Sequence, residues 1–372
     1  MCRETPQRID IKEEIIAKTT TLLLSNKLKK TMATTEETAR IIAALQQPEA
    51  YPHDTESVKT IITAVSVVFL TGKHAYKINK PMNLGFLDFS TLEKRREQCE
   101  KEIRYNSLIS PHLYEGLVTI NQEENGKIAV NGPGKVIEYG IKMKQMNPDA
   151  TMNSLLQQQR VKVQDIQQLA KTIHAFHQKA PADKEIAEFG KYAAVKFNWD
   201  ENFQQTEKYQ DTLIPTKKIL AIQEKINSFL KNNQPIFAER VQKNKIKHCH
   251  GDFHSGNVFL QNGEISIFDG IVFNQRFPCS DIIAEIAFMA MDLEYHQQPE
   301  LARSFIEEYQ RLSNDEDIPL LLDFYQCYRA YIRGKIACFT YDDPHLTPEE
   351  KENTKRNAQQ YFQLAERYAG RL

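Results

Sequence analysis

The chain has 372 residues, 41% of them hydrophobic, with 48 basic and 49 acidic side chains. That length predicts two domains or lobes with a sizeable core, and the charge balance removes any overall field that would draw in nucleic acid or an anionic membrane. The six cysteines (Cys2, Cys99, Cys249, Cys279, Cys327, Cys338) form no CxxC pair, which fits reduced thiols and a cytoplasmic location.

Residues 1–31 read as an N-terminal extension, because charges and threonines surround a single apolar cluster, "TLLLS" at 21–25. That cluster is too short for a signal segment or for a membrane span of ~20 apolar residues. After Met32, "EETARIIAAL" places apolar residues at 41, 42, 44 and 45, predicting a short amphipathic helix stopped by Pro48 and Pro52. "VKTIITAVSVVFLTGKHAYKINKP" predicts a strand, a tight turn at Thr71-Gly72-Lys73 and a second strand ended by Pro81. "FSTLEKRREQCEKEIRYNSLI" predicts a helix of about five turns, with Ser90 as N-cap, Glu93 completing a capping box, and a stripe through Leu92, Cys99 and Ile103. "GLVTI" and "KIAV" form a hairpin across "NQEENG", and "KVIEYGIKMKQM" adds a strand. Residues 32–146 are thus expected to be a small, mostly antiparallel sheet with one helix.

From 147 to 372 helical periodicity dominates, in "VQDIQQLAKTIHAFHQ", "TKKILAIQEKINSFLK", "SDIIAEIAFMAMDLEY", "PELARSFIEEYQRL", "IPLLLDFYQCYRAYIRGKIACF" and "TPEEKENTKRNAQQYFQLAERYA". The last opens with Thr347 as N-cap, Pro348 at the first helical position and Glu350 at the third. Two strands, "NVFLQ" and "ISIFD", interrupt this half. The expectation is an α+β chain with a β-rich lobe followed by a larger helical lobe.

Residues 248–257, "HCHGDFHSGN", carry His250, Asp252 and Asn257 in the spacing HxDxxxxN, and Asp269 follows at the end of "ISIFD". Phosphoryl transfer needs a carboxylate to take or orient the proton of the attacking hydroxyl, oxygen ligands to hold Mg²⁺, and a lysine on phosphate oxygens. Asp252 suits the first role and Asn257 with Asp269 the second, while Gly251 and Gly256 relax the tight backbone. For the lysine, "HAYKINK" offers Lys77 and Lys80, which point to opposite faces of a strand. Lys77 is preferred, because Ala75 shares its face in an A-x-K arrangement similar to that of the third kinase strand. Glu102, beside the Cys99 and Ile103 stripe, is its expected half-buried partner.

These residues resemble the aminoglycoside phosphotransferase and choline kinase-like family of the bilobal protein kinase-like fold, with "HGDFHSGN" as the catalytic loop and "ISIFDG" as the metal-binding strand end. "AYKINKPMNLGFLDFSTLEKRR" and "FDGIVFNQRF" with "DIIAEIAFMAMDLE" further resemble a prokaryotic subgroup often fused to a P-loop ATP-binding domain. The similarity spans roughly residues 36 to 340. It implies Asp252 as catalytic base, Asn257 and Asp269 as magnesium ligands, and Lys77 with Glu102 as the phosphate-positioning pair. It also implies Ala75 and the hinge Lys144, Gln145 and Met146 as adenine contacts, and Asp281 as the carboxylate bracing the catalytic loop. No G-x-x-x-x-G-K-[ST] occurs, so the fused domain is expected to be absent, and the "VVFLTGKHAYK" hairpin stands in for a glycine-rich phosphate loop.

Other readings accompany these. His248, Cys249, His250 and His254 suggest zinc, but adjacent residues reach one tetrahedral centre poorly and no second ligand pair follows. His174 and His177 read as core histidines. Arg329, Arg333 and Lys335 read as a solvated helix face, with an anionic substrate as the alternative, and the acids of "YDDPHLTPEE" read as loop and cap chemistry. Met143 and Met146 read as hinge packing. Only about ten residues separate Asp269 from the next helix, too few for a peptide-docking segment, and Gly251 replaces the arginine of H-R-D. The expected activity is transfer of phosphate from ATP, with GTP as the alternative donor, and Mg²⁺ to a small hydroxyl acceptor of aminoglycoside, sugar or amino alcohol type. A non-catalytic nucleotide-binding module and a protein Ser/Thr kinase are the alternatives.

Overall fold

The computed structural model describes residues 36–372 except Ala64, Phe86 and Asn262. The expected extension at 1–31 and Cys2 lie outside the described residues. Packing divides the chain into two units. One runs to Arg104 and takes in His112–Gln145; the other comprises Tyr105–Pro111 and Met146–Leu372.

The first unit opens with α1 (Glu36–Leu45), followed by β1 (Lys59–Ile62), β2 (Ser66–Leu70), β3 (His74–Asn79), α2 (Leu92–Asn106), β4 (Tyr114–Gln122), β5 (Ile128–Val130) and β6 (Lys135–Lys144). Tyr105 and Asn106, at the end of α2, belong to the second unit. The six strands form one antiparallel sheet in the order β1-β2-β3-β6-β4-β5. Ile41 and Leu45 of α1 pack against Val67, Phe69, Tyr76, Ile78, Val118 and Ile120, alternate residues that share one face of their strands.

The stretch 58–81 holds three strands where the sequence reading expected two. The extra reversal lacks glycine or proline; Thr63 replaces them, its hydroxyl accepting from Ser66 N at 3.0 Å while its own N–H donates to Ser66 O at 3.0 Å. The turn at Thr71-Gly72-Lys73 forms as expected, with Gly72 at φ +91°. The cap of α2 is also corrected. Thr91 Oγ1 accepts from Lys94 N at 3.2 Å, whereas Ser90 turns back to Asp88 Oδ1. Arg95 then fixes α2 to the sheet, its Nε donating to both oxygens of buried Glu138 at 2.9 and 2.7 Å and its Nη1 to Phe89 O at 3.0 Å.

The second unit contains α3 (Met152–Gln157), α4 (Val163–Lys179), α5 (Lys184–Glu188), α6 (Tyr192–Thr206), α7 (Thr216–Asn232), α8 (Gln234–Gln242), β7 (Ile246–His248), β8 (Val258–Gln261), β9 (Glu264–Ile267), β10 (Cys279–Asp281), α9 (Ile282–Tyr295), α10 (Pro299–Ser313), α11 (Ile318–Tyr341) and α12 (Pro348–Ala369). Every helix read from periodicity is present, and Thr347 and Glu350 form the expected capping box. The β7–β10 pair and the helices α3, α5, α6 and α8 were not foreseen. In α6 the buried stripe is Val195, Trp199, Asn202, Phe203 and Thr206, so two polar residues hide its period. All residues of α9 from Ile282 to Leu293 are buried, making it the central helix of this unit.

One polar network ties the unit together. Arg240, without solvent exposure, donates to both oxygens of Asp281 at 2.8 and 2.7 Å and to Asp315 at 2.6 and 2.8 Å. Arg240→Met leaves Asp281 buried without its cation and Asp315 with Lys245 alone, and a loss of about 3–5 kcal/mol is expected, measured as a lower urea midpoint at unchanged m-value. A midpoint equal to wild type would show that the network contributes no net stability.

Candidate active site

The first unit supplies a lysine and a glutamate. In β3, Lys77 stands opposite Val68 of β2 and Ile141 of β6, and strand alternation puts Ala75 on the same face. Lys77 Nζ donates to Glu102 Oε1 at 2.8 Å, with 14% and 5% of the two side chains exposed. Glu102 is more deeply buried than the half-burial its place beside the stripe suggested. The thiol of Cys99, one turn earlier on α2, is pushed up to about 12, chiefly by burial and then by the charge of Glu102. Lys80 points elsewhere and donates to Thr63 O. Of the expected hinge, Lys144 N donates to Leu113 O, Gln145 Oε1 accepts from Gly72 N at 2.9 Å, and Met146 is buried. The division between the units falls between Gln145 and Met146.

The second unit supplies the loop between β7 and β8. Gly251 has φ +85°, and a Cβ there would meet Pro278 Cα at 3.1 Å, so glycine answers both a backbone and a packing need. Asp252 N donates to His250 Nδ1 at 3.3 Å, and His250 Nε2 donates to Phe268 O at 2.8 Å. His254 caps the turn Ser255–Asn257 by accepting Gly256 N at Nδ1, so its Nε2 faces Asp252 Oδ2 at 3.4 Å. Asn257 Nδ2 donates to Asp252 Oδ2 at 3.1 Å and to Asp252 O at 2.9 Å.

Those bonds commit the amide nitrogen of Asn257 and leave its Oδ1 for a ligand. The β8–β9 hairpin then returns the chain, with Phe268 N donating to Asn257 O at 3.1 Å, so Asp269 comes back beside Asn257. Asp269 lies just past β9 instead of at its end, in a left-handed conformation with φ +62°. The turn is held by Asn106 Oδ1, which accepts from Gly270 N at 2.8 Å, and by His250 O, which accepts from Ile271 N at 2.9 Å. A carboxamide oxygen and a carboxylate form a hard donor set of the kind Mg²⁺ takes. Burial raises the pKa of Asp252, but the hydrogen bond and charge of His254, then the charges of His250 and Arg333, outweigh it and hold the carboxyl below the usual carboxylate range.

The brace of this loop is not the residue the family resemblance implied. Asp281 caps α9 through Ile283 N and binds Arg240, away from the loop backbone. Glu285, one turn later, accepts His250 N at 2.9 Å and Gly251 N at 2.8 Å. His177, a satisfied core histidine as expected, joins Glu285 Oε2 at 3.0 Å to the Tyr309 hydroxyl at 2.7 Å. Asp292 Oδ2 accepts Ser255 N at 2.8 Å from the same helix. The missed signal was plain: a carboxylate in the buried stretch Ile282–Leu293 requires partners. His177, Cys249 and Glu285 cluster closely enough to suggest a metal, but both histidine nitrogens and both carboxylate oxygens are already hydrogen-bonded.

The expected solvated face of α11 is also corrected. Arg329 is buried and donates from Nε to Ala284 O at 3.0 Å and from Nη1 to Gly251 O at 3.2 Å. Lys335 is held by the side-chain oxygens of Asn202 and Gln205, and burial pulls its pKa down to about 8. Asp342 of "YDDPHLTPEE" accepts from the Tyr209 hydroxyl and Lys208, in line with the loop reading.

A curled antiparallel sheet bearing a lysine–glutamate pair, and a helical unit bearing an HxDxxxxN loop with a hairpin-borne aspartate, define the class as kinase-like phosphotransferases. The sequence model of the phosphotransferase enzyme family matches residues 93–322. The chain belongs to that family.

Two solved structures share the fold. A choline/ethanolamine kinase family protein from Mesorhizobium loti aligns with TM-score 0.51 at 8% identity, covering 93% of this chain and 99% of that one. Choline kinase from Cryptosporidium parvum aligns with TM-score 0.50 at 12% identity, covering 89% and 95%. Uncharacterised proteins of Mycobacterium tuberculosis and Mycobacterium bovis are 28% identical over 279 residues, which is 75% of this chain and 54% of theirs. The chain thus spans about half the length of the curated relatives it matches.

Proposed function

We propose that the protein transfers the γ-phosphate of ATP, with Mg²⁺, to a hydroxyl group of a small molecule. The observation that carries this reading is the loop and hairpin that hold Asp252, Asn257 Oδ1 and Asp269 together. The acceptor oxygen bonds to the γ-phosphorus, the bond to the ADP oxygen breaks, and the hydroxyl proton passes to Asp252. Asn257 and Asp269 hold the metal, which neutralises phosphate charge, and Lys77, oriented by Glu102, binds phosphate oxygens. Ala75 and the backbone of Lys144 to Met146 contact the adenine. The short segment from Ile271 to the start of α9 supports a small acceptor over a peptide, since it has no room for a docking loop. Among the described residues no helix is long and apolar enough to cross a membrane.

The test is thermal unfolding with and without ATP and Mg²⁺, on wild type and Lys77→Met. ATP with Mg²⁺ at about 100 times its Kd should stabilise wild type by about 2.7 kcal/mol, and the substitution should remove most of that gain. No stabilisation of wild type sinks the proposal. Stabilisation without ADP production from any hydroxyl acceptor supports a nucleotide-binding module instead, and phosphorylation of protein substrates alone supports a protein kinase.

A further inference from the structure

Arg329 and Arg333 lie four residues apart on one face of α11, and their surroundings differ sharply. Arg329 is fully engaged with backbone oxygens of Gly251 and Ala284, and its guanidinium lies 4.9 Å from the Phe288 ring centre. It therefore pins this face of α11 to the residue preceding Asp252. Arg333, one turn further, is half-buried with its guanidinium 5.5 Å from the Tyr361 ring centre, and Tyr361 in turn stacks on Tyr295 at 4.2 Å. Among the described residues no carboxylate comes within ion-pairing distance of Arg333.

The two acids whose charges Arg333 feels, Asp252 and Asp292, already have other partners. Asp252 is bonded by Asn257 and faced by His254, and Asp292 accepts Ser255 N and has His296 at 4.0 Å. Other arginines of this unit show what a paired one looks like. Arg240 binds Asp281 and Asp315, and Arg276 binds Glu201 at 2.7 Å. A guanidinium withdrawn from water without an anion is costly, and its planar fork matches a carboxylate at two points. The Asp252 side chain is 38% exposed and Arg333 is half-buried, so neither side chain is sealed from solvent.

We propose that Arg333 receives an anionic group of the acceptor, so that the hydroxyl compound phosphorylated at Asp252 is a hydroxy acid and not an aminoglycoside or amino alcohol. This rests on the phosphotransferase reading and narrows its substrate class. The carboxylate docks on the Arg333 fork over Tyr361, which leaves the hydroxyl end to reach Asp252. A cationic acceptor meets the positive charge of Arg333 at the same place and is repelled.

The experiment uses two matched sets of probes with ATP and Mg²⁺: glucuronate, glucose and glucosamine, and glycerate, glycerol and 3-amino-1,2-propanediol. Thermal stabilisation and ADP release are read for wild type, Arg333→Met and Arg333→Lys, with stabilisation by ATP alone measured alongside. In at least one set the acid is expected to exceed its neutral and cationic counterparts by about 10- to 100-fold in kcat/KM. Arg333→Met should reduce that preference to within about threefold, mainly through acceptor KM, and Arg333→Lys should fall between. A preference for the neutral or cationic member in wild type, selectivity unchanged in Arg333→Met, or ATP binding with no response to either acid overturns the inference and leaves the phosphotransferase reading standing. Absence of ATP binding overturns both.

Discussion

Asp252→Asn should lower phosphoryl transfer by about 10²- to 10⁴-fold with little change in melting temperature. Asparagine keeps an oxygen for the Asn257 amide and for His254 but cannot take the acceptor proton. The side chain is 38% exposed, so the exchange strands no buried group. The same surroundings predict a pH profile. The folded-state pKa of Asp252 is depressed, so the group is ionised above the ordinary aspartate value of about 3.9 and gains its proton only as pH falls through the lower folded value. Activity limited by this base should be level through neutral pH and decline only in acid. Turnover by Asp252→Asn equal to wild type, or a limb near neutrality that vanishes in this variant, would falsify its assignment as the base.

Glu285→Ala should cost about 3–5 kcal/mol, the largest effect on stability expected of a residue that touches the loop only from behind. Three groups lose their partner at once, His250 N, Gly251 N and His177 Nε2, and His177 is then held only by the Tyr309 hydroxyl. Glu285→Gln should be milder, at about 1–3 kcal/mol, because one amide oxygen remains while the amide nitrogen opposes a backbone N–H. Burial raises the Glu285 pKa, but the hydrogen bond and charge of His177, the charge of His250 and the His250 N–H outweigh it, leaving the group depressed. The stabilisation is therefore complete above the unfolded glutamate value of about 4.3 and is lost as pH falls through the folded value. Urea denaturation at pH 7 and in acid checks this. The gap between wild type and Glu285→Ala should shrink as pH drops, and a gap independent of pH would refute the linkage.

The parts of the site readable from sequence were those governed by short-range periodicity. Two-residue strand alternation separated Lys77 from Lys80, and a helical stripe through Cys99 selected Glu102, because both rules act within a single element. The HxDxxxxN spacing located Asp252 and Asn257 for a similar reason: a turn of four intervening residues brings them together whatever surrounds it. The loop's supports were not legible. Glu285, Asp292 and Arg329 act on it from helices far along the chain, and local pattern cannot show which acid of "SDIIAEIAFMAMDLEY" faces which backbone amide. The charges of α11 misled because a charged helix face is usually wet, and only tertiary packing reveals Arg329 beneath the loop. The fold followed the same division: long apolar-periodic helices were clear, while α6 was hidden by Asn202 and Thr206 in its buried stripe and the Thr63 reversal lacked the usual turn residues.

Asp269 occupies a backbone region that costs an ordinary L-residue roughly 1 kcal/mol relative to glycine. Anyone optimising this chain for robustness alone would be led to place glycine there and would remove the carboxylate proposed to hold the metal. The position marks where thermostability screening and selection for turnover pull in opposite directions. A library built on this scaffold should hold residue 269 fixed and seek its gains elsewhere.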